Sequence, residues 1–468
     1  MTNRPVFPCR SAPDDPSEAR LLGIYPQRQD GLFMQRVRIP GGRIDAGPLR
    51  ALAAIADRET PGYPLHLTTR QDVELHGLSA SQIPAVQARL AAEGLSGLGA
   101  CGDCPRNVTM CPGAGRCEGS WDVGPVAEAI RSVVEAPEWL CRLPRKFKVS
   151  VSGCSRACAK PWINDVGLIA VGEDHFEAMV AGSLGAKPGA GVRFPAAVGV
   201  AEVPAFVTAA LRLFDDEGDR ENRARARLRH VRQRVGDGAF LGELGERFAA
   251  ERVAASVPPP RLVRCVDGWV ACRVQLPRGD IGPAQAAELA GAADAAAAEL
   301  RIGFEHDLFV YADRESALPT SLAGLQDGPC VVACPGTTWC KRGVADARGA
   351  ADAIRAALPA GCGLSICISG CPNNCAQSGV AHIGLVGRIQ TVRRERREAF
   401  GVSAGGELGR GPRLGVGLHP AVPAQGIGGM VAELAAAYPL KADAAAIGAF
   451  CAAQRSRLAE TLTEEPGR

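Results

Sequence analysis

An internal repeat is the feature of this sequence that most constrains its fold. The segment DGLFMQRVRIPGGRI begins at Asp30, and the similar segment DGWVACRVQLPRGDI begins 237 positions later, at Asp267. Further along, CPGAGRC is matched by CPGTTWC, and SGCSRAC is matched by SGCPNNC. Because these landmarks keep their order, the chain is a tandem duplication of a unit of about 200 residues.

Each repeat mixes strand patterns with helix patterns. Alternating apolar segments such as LFMQRVRIP, YPLHLTT and FKVSVSG predict strands, whereas PLRALAAIADRE and IPAVQARLAAEG have the period of amphipathic helices. The fold class predicted is therefore α+β, with mixed sheets. Residues 215–260 are charged, have a helical period and end in prolines, so they predict a helical connector between the repeats.

Two cysteine quartets stand at equivalent places in the repeats. In the second repeat, Cys334 and Cys340 are separated by five residues, and Cys371 and Cys375 by three. Four thiolates on two loops form the ligand set of a [4Fe–4S] cluster. Zinc also takes four thiolates, but its paired ligands usually have two to four residues between them, so the gap of five argues against zinc. The matching quartet of the first repeat is Cys111, Cys117, Cys154 and Cys158.

The other cysteines are interpreted as small core residues, the commonest role of a free cysteine. They are Cys9, Cys101, Cys104, Cys141, Cys265, Cys272, Cys330, Cys362, Cys367 and Cys451. The CxxC pair Cys101 and Cys104 stays unassigned, because it could also bind metal or transfer electrons.

Charge and hydropathy exclude several classes of partner. The formal net charge is only +3 and the basic residues are mixed with acidic ones, so no nucleic acid is expected. No apolar stretch is long enough to span a bilayer, and the first residues do not have the pattern of a secretory signal. We therefore expect a cytoplasmic protein.

The motif around the second quartet carries a family resemblance. ACPGTTWC followed by CISGCPNNCAQSGVAHIGLVG resembles the siroheme and [4Fe–4S] motif of assimilatory-type sulfite and nitrite reductases. The resemblance implies that Cys334, Cys340, Cys371 and Cys375 hold the cluster. It also implies that Cys375 bridges the cluster to the siroheme iron, with Asn373 beside the macrocycle.

Basic residues of the first repeat extend the resemblance. The strings LTTRQDVELHG, RNV and LPRKFKVSVSG supply Arg70, Arg106, Lys146 and Lys148. Fixed cations suit the carboxylates of siroheme and an anionic substrate, and proton donors are needed as electrons arrive. By resemblance, these four residues form the catalytic anion pocket, and Arg70 and Arg106 also bind the cofactor. The second repeat lacks their counterparts, so one catalytic centre is expected.

The resemblance implies a tandem nitrite/sulfite reductase-like fold with five segments. They are a ferredoxin-like half-domain at 1–100, a 4Fe–4S-type α/β domain at 101–214, the connector at 215–260, a second half-domain at 261–326 and a second siroheme/4Fe–4S domain at 327–468. The implied oxidoreductase activity is the six-electron reduction of sulfite to sulfide or of nitrite to ammonia. Ferredoxin or a flavoprotein would supply the electrons.

Three questions stay open at this point. A precorrin-3B synthase-like oxygenase shares the superfamily and its cluster motif, and a haem-free iron–sulfur electron carrier would also use these quartets. The first quartet looks more like that of dissimilatory-type subunits, and a second cluster there would transfer electrons or be structural. The basic run RIQTVRRERREAF after Gly387 is interpreted either as a solvated helix or as a docking element for an acidic donor.

Overall fold

The computed structural model of the chain describes residues 16–139, 142–252, 261–312, 318–326, 328–409 and 411–463. Cys9, Cys141 and the prolines that end the connector lie outside the described residues. None of the helices in the described segments is long and apolar enough to cross a membrane.

The first half-domain consists of a twisted sheet covered by helices. Helix α2 buries Leu49, Leu52, Ala53 and Ile55 at helical spacing against this sheet, which explains its amphipathic pattern. The elements are α1 (Pro16–Leu21), β1 (Ile24–Pro26), β2 (Leu32–Val37), β3 (Arg43–Ile44), α2 (Ala46–Glu59), β4 (Leu65–Leu67), β5 (Val73–Ser79) and α3 (Ile83–Ala92).

The first α/β domain follows, with its own core. It contains β6 (Thr109–Met110), β7 (Trp121–Asp122), α4 (Gly124–Val134), β8 (Val149–Ser152), β9 (Val166–Ala170), β10 (His175–Val180), β11 (Val192–Arg193), β12 (Val198–Gly199) and α5 (Val203–Glu217). Strands β6, β8 and β9 are parallel, and β10 joins β9 antiparallel. Helix α6 (Leu228–Val235) packs on this core through Leu228 and Val231, and α7 (Asp237–Glu251) through Phe240, Leu244 and Phe248.

The second repeat has the same order of elements. Its half-domain contains β13 (Val263–Arg264), β14 (Val270–Gln275), β15 (Asp280–Ile281), α8 (Pro283–Ala295), β16 (Glu299–Ile302), β17 (Asp307–Ala312) and α9 (Thr320–Ala323). Its α/β domain contains β18 (Val331–Ala333), α10 (Gly336–Trp339), α11 (Ala347–Ala357), β19 (Ile366–Ser369), β20 (Ile383–Val392), β21 (Glu395–Ala404), β22 (Val416–Pro423), α12 (Ile427–Ala437) and α13 (Ala444–Thr463). Strands β18, β19 and β20 are parallel, as in the first repeat.

The two half-domains exchange edge strands. Strand β15 of the second repeat pairs with β4 of the first, and β3 of the first repeat pairs with β16 of the second. Helices α2 and α8 pack against each other, and one hydrophobic core runs through both half-domains. The mixed sheets and helices confirm the α+β class, and the exchange ties the duplicated halves into one unit.

The basic run after Gly387 forms a long β-hairpin. Strands β20 and β21 pair antiparallel from Ile383 to Ala404, with Arg393 and Arg394 at the turn. Both arginines have positive φ angles, of 49° and 70°, as a two-residue hairpin turn requires. The solvated-helix interpretation is therefore wrong, because the residues of this basic run form two paired strands and not a helix.

Candidate active site

The second quartet lies at the carboxyl ends of two neighbouring parallel strands. Cys334 directly follows β18, and Cys371 comes two residues after β19. Cys340 follows the short helix α10, and Cys375 ends the second loop. Loops that leave parallel strands at the same edge of a sheet converge. Cys334 and Cys371, which are 37 positions apart in sequence, therefore come close together.

Glycines allow the two loops to approach closely. A Cβ atom on Gly370 would lie 2.7 Å from the Cα atom of Gly336, and one on Gly387 would lie 2.5 Å from the carbonyl oxygen of Gly370. Gly336 also has a φ of +54°, which disfavours any side chain. The glycines of the motif are therefore required by packing between the loops.

Backbone amides point at the sulfur atoms of the quartet. The amide of Gly370 donates to Cys334 Sγ at 3.0 Å, and that of Arg342 donates to Cys340 Sγ at 3.4 Å. Burial raises the pKa of Cys371 to about 11 although Asn373 hydrogen bonds to it, and burial likewise raises the pKa of Cys334. Thiols of this kind are deprotonated when a metal replaces the proton, and the amides then stabilise the thiolates.

The fourth cysteine contacts the loop that carries Arg70. Cys375 is exposed, and its carbonyl oxygen accepts a hydrogen bond of 3.1 Å from Thr69 Oγ1. Gln377 Nε2 donates to the carbonyl oxygen of Thr69 at 3.3 Å. The first half-domain is thus held against the second quartet, with Arg70 next to the contact.

Arg70 is fixed by two asparagine residues. Its guanidinium donates to Asn164 Oδ1 at 3.0 Å and to the carbonyl oxygen of Asn107 at 2.7 Å, while its buried Nε atom has no partner among the described residues. Burial lowers the pKa of Arg70 to about 10, opposed by Asp72 and reinforced by Arg106. A half-buried guanidinium with an unused Nε donor fits an anionic ligand.

Lys146 and Lys148 join this group of cations. Burial lowers the pKa of Lys146 to about 8, although the Cys375 sulfur is close enough to oppose the change. Burial also holds the pKa of Lys148 well below its usual value, and Arg70 lowers it further. The carboxylate of Asp165 acts on Lys148, but it is already paired with Arg227 at 2.7 Å. Lys146 can therefore exchange a proton near neutral pH, and Lys148 holds its proton less tightly than a solvated lysine does.

Arg106 lies in the same group, but its guanidinium is already bound. It donates to the carbonyl oxygens of Ala100 and Gly102, each at 2.6 Å, and so closes the loop of the CxxC pair. Cys101 and Cys104 are both buried in this loop. Arg106 thus adds positive charge behind Arg70 and Lys146, which both interact with it.

Arg227 is a cation that the sequence analysis missed. It is nearly buried, it donates to Asp165 Oδ2 at 2.7 Å, and its charge interacts with those of Arg70, Lys146 and Lys148. It comes from the loop before α6, within the segment interpreted as a charged connector. A local pattern of arginines does not distinguish this buried residue from its exposed neighbours.

The histidines near the motifs are structural. His76 stacks on Trp339 with ring centroids 4.1 Å apart, and His66 hydrogen bonds to Asp280 at 3.0 Å. His382 Nδ1 accepts from the amide of Ser365 at 2.9 Å. His76 thus joins the first half-domain to the second α/β domain, His66 joins the two half-domains, and His382 lies within the second α/β domain.

The first quartet is also brought together. The thiols of Cys111 and Cys158 contact each other, and Cys154 is close enough to interact with Cys111. Among the described residues, no three His, Cys, Asp or Glu side chains are placed to hold a single metal ion. In each quartet the four cysteines lie on two loops, two cysteines on each loop.

Comparison with known families bears on this geometry. The model of the nitrite and sulphite reductase 4Fe-4S domain matches residues 101–251 and 330–440, which is more than half of the chain. The model of the nitrite/sulfite reductase ferredoxin-like half domain matches residues 25–93. The chain belongs to the nitrite and sulphite reductase family. This membership confirms the predicted tandem fold and the assignment as an oxidoreductase with siroheme and [4Fe–4S] cofactors.

Individual relatives of the family align over most of the chain. An assimilatory ferredoxin-dependent nitrite reductase of Haloferax mediterranei is 28% identical, covering 90% of this chain and 82% of that protein. A sulfite reductase [ferredoxin] of Mycobacterium tuberculosis is 29% identical, covering 83% and 79%. The solved structure of the NirA protein of M. tuberculosis has a TM-score of 0.76 at 24% identity, covering 91% of this chain and 87% of that one, and shows the same fold.

Proposed function

We propose that the chain reduces sulfite to sulfide or nitrite to ammonia, with six electrons, at a siroheme bound through Cys375. The observation that carries this proposal is the group of half-buried cations of the first repeat, of which Lys146 interacts with the exposed thiol at the end of the second quartet. A one-electron carrier needs no such anion pocket. The cations therefore favour an enzyme that binds a small anion.

The residues of the second quartet fit the proposed cofactor. Cys334, Cys340, Cys371 and Cys375 would hold the cluster, with amide donors at two of the sulfurs. Asn373 is exposed beside Cys371 and would lie next to the macrocycle. When bound, siroheme supplies an iron that takes the substrate and passes electrons to it.

The cations would divide the remaining work. Arg70, with its unused buried donor, and Arg227 would hold carboxylates and the anion in place. Lys146 and Lys148 would deliver protons, because burial lowers the pKa of both and brings that of Lys146 to about 8, so that its ammonium group can lose a proton near neutral pH. Arg106, bound by the carbonyl oxygens of its own loop, would contribute charge and orientation.

Both anions are proposed as substrates. The relatives named for nitrite and those named for sulfite are 28% and 29% identical to this chain, so identity favours neither. The described cysteines are all free thiols, as in proteins of the reducing cytoplasm, where we place the enzyme.

Reduced ferredoxin is the proposed electron donor, because relatives of both kinds are named for it. The basic hairpin of β20 and β21 is its proposed docking element. Arg388 at its base and Pro372, between two cluster cysteines, line one cavity of about 240 Å³. An acidic carrier on the hairpin would thus lie next to the cluster loop.

The proposal is tested on anaerobically purified protein. Its absorption spectrum should show the Soret and red bands of siroheme, and reduced ferredoxin should turn over nitrite to ammonia or sulfite to sulfide with six electrons per product. Iron and sulfide without a haem band would contradict the proposal and favour the electron carrier. Oxygen-dependent conversion of a precorrin, without anion reduction, would favour the precorrin-3B synthase-like oxygenase.

A further inference from the structure

The first quartet lines a cavity of its own. Cys111 and Cys117 belong to the loop after β6, and Cys154 and Cys158 to the loop after β8. Cys117 and Cys154 border a cavity of about 540 Å³, whose wall also includes Trp269 and Tyr311 of the second half-domain. The cavity thus lies between the first quartet and the second half-domain, which corresponds by the internal repeat to the contact between the second quartet and the first half-domain.

The two loops are shaped for a group held between their sulfurs. A Cβ atom on Gly113 would lie 2.4 Å from Cys117 Sγ, so the loop passes directly over this thiol. Tyr311 hydrogen bonds to Cys117, and Arg156 hydrogen bonds to Cys154. Both interactions come from side chains that line the same cavity.

A buried cation supports the loop from beneath. Arg301 is fully buried and donates to the carbonyl oxygens of Pro112 and Ala114, at 2.8 and 2.7 Å. Arg116 and Arg156 border the cavity as well. A cluster with four thiolate ligands carries net negative charge, which Arg156 would offset directly, while Arg116 and Arg301 share an ion pair with Glu299.

Over the first quartet, an acidic residue stands at the position that is equivalent to Arg70. Gln71 and His306 are equivalent, because each lies four residues after the end of its strand, β4 or β16, and has a positive φ angle. The residue before each is therefore also equivalent, so Glu305 stands where the first repeat has Arg70. The carboxylate of Glu305 forms an ion pair with the guanidinium of Arg273 at 3.1 Å and lies 3.7 Å from the Nζ atom of Lys160. Its charge also acts on Cys158, the counterpart of Cys375. Because Glu305 already pairs with Arg273 and Lys160, this position offers the carboxylates of siroheme no counterpart of the cation that Arg70 supplies over the second quartet.

We propose that Cys111, Cys117, Cys154 and Cys158 bind a second [4Fe–4S] cluster, and that this cluster carries no haem. The proposal rests on the sulfur ligands and their cavity, and it does not depend on the substrate of the enzyme. The chain would then hold two clusters and one siroheme.

The test compares iron, acid-labile sulfide and siroheme in anaerobically purified holoprotein. The double variant Cys117→Ser and Cys154→Ser should lose about four irons and four sulfides per chain while its siroheme bands keep their intensity. Cys265→Ser is the matched control, because Cys265 lies near Cys117 but outside the quartet. An unchanged iron content in the double variant, or equal loss in the control, would overturn the ligand assignment.

Electron paramagnetic resonance of the reduced wild-type protein gives an independent reading if the variant does not fold. Two distinct [4Fe–4S] signals with one siroheme per chain support the proposal. A single cluster signal, or two sirohemes per chain, contradicts it. Neither outcome depends on turnover, so failure of the reductase assignment would be distinguished from failure of this one.

Discussion

Cys375 has a combination of two properties that none of the other three cysteines of its quartet has. Its thiol is exposed toward the group of cations, and its carbonyl oxygen is held by Thr69. We expect Cys375→Ser to remove the siroheme bands together with activity, because the serine hydroxyl is a poor iron ligand. Absorption spectra of purified protein check this, with Cys367→Ser in the buried strand β19 as the control. Retained bands and activity would disprove the bridging role.

Lys146 is expected to act in turnover and not in cofactor binding. Lys146→Ala should keep the siroheme bands but lower kcat by about 100-fold or more, the usual contribution of a positioned proton donor. Steady-state rates at equal siroheme content measure this. An unchanged rate would show that the lysine is only part of the surface.

The lowered pKa of Lys146 also predicts a pH dependence. The ammonium form, which donates the proton, is present below a pKa of about 8 and is lost as the pH rises through it. Activity should therefore fall on the alkaline side in the wild type. In Lys146→Arg this limb should move to higher pH, because guanidinium stays charged. A limb that stays in place would assign the titration to another group.

At this scale the sequence predicted the residues whose local motif is specific. The cysteines and Arg70 stand in recognisable strings, and the fold brings them together. Arg227 and Asn164 stand in no such string, and only tertiary packing turns their side chains toward Arg70 and Asp165. Residues that act through long-range contacts leave no local pattern to find.

Among the elements, the β20–β21 hairpin presents charges without protein partners. Arg393, Arg394 and Arg396 are exposed and form no ion pair with a described residue, whereas Arg397 pairs with Glu395 at 2.8 Å. Changing these three arginines to Glu should raise the KM for ferredoxin by about 10-fold or more at low salt. The difference should shrink as salt is added, because exposed charges are screened.

Two controls separate docking from damage to the site. Turnover with reduced methyl viologen, a small donor, should stay unchanged in the triple variant. Reversal of the exposed Arg58, Arg212 and Arg234 should leave the KM for ferredoxin near the wild-type value. Equal effects of both triple variants would mean that net charge, and not the hairpin, governs the encounter.

The elements themselves were predictable to different degrees. Helix α2 and strand β2 have clear periods, so their types follow from the sequence. The hairpin was misinterpreted in part because Arg393 and Arg394 are unusual residues for a turn with positive φ, where Gly and Asn are favoured. Strands β3 and β15 have two residues each, too few for any period.

For the whole molecule, these two short strands matter most. Their exchange makes each half-domain depend on the other, which a repeat seen in sequence does not reveal. Two equivalent side chains strengthen the junction. Gln71 Nε2 donates to the carbonyl oxygens of Met110 and Ile302 at 2.8 and 2.7 Å, so it joins three units of the chain.

His306 is the counterpart of Gln71 in the second repeat. Its ring nitrogens lie 2.8 Å from the carbonyl oxygens of Leu67 and Ala333. Burial lowers the pKa of His306 to about 4, so near pH 7 the ring is neutral and has one N–H for two carbonyl oxygens. A glutamine amide could donate to both, as Gln71 does.

We therefore expect His306→Gln to unfold in urea at the same concentration as the wild type or a higher one. His306→Leu should be less stable by about 1 to 3 kcal/mol, because the one buried carbonyl that receives the ring N–H loses its donor. Urea unfolding at pH 7, followed by circular dichroism on the holoprotein, compares the three proteins. Equal destabilisation by glutamine and leucine would mean that ring packing holds the junction. A glutamine variant at least as stable as the wild type would show that hydrogen bonding to the two carbonyl oxygens, and not the ring itself, holds this half of the junction.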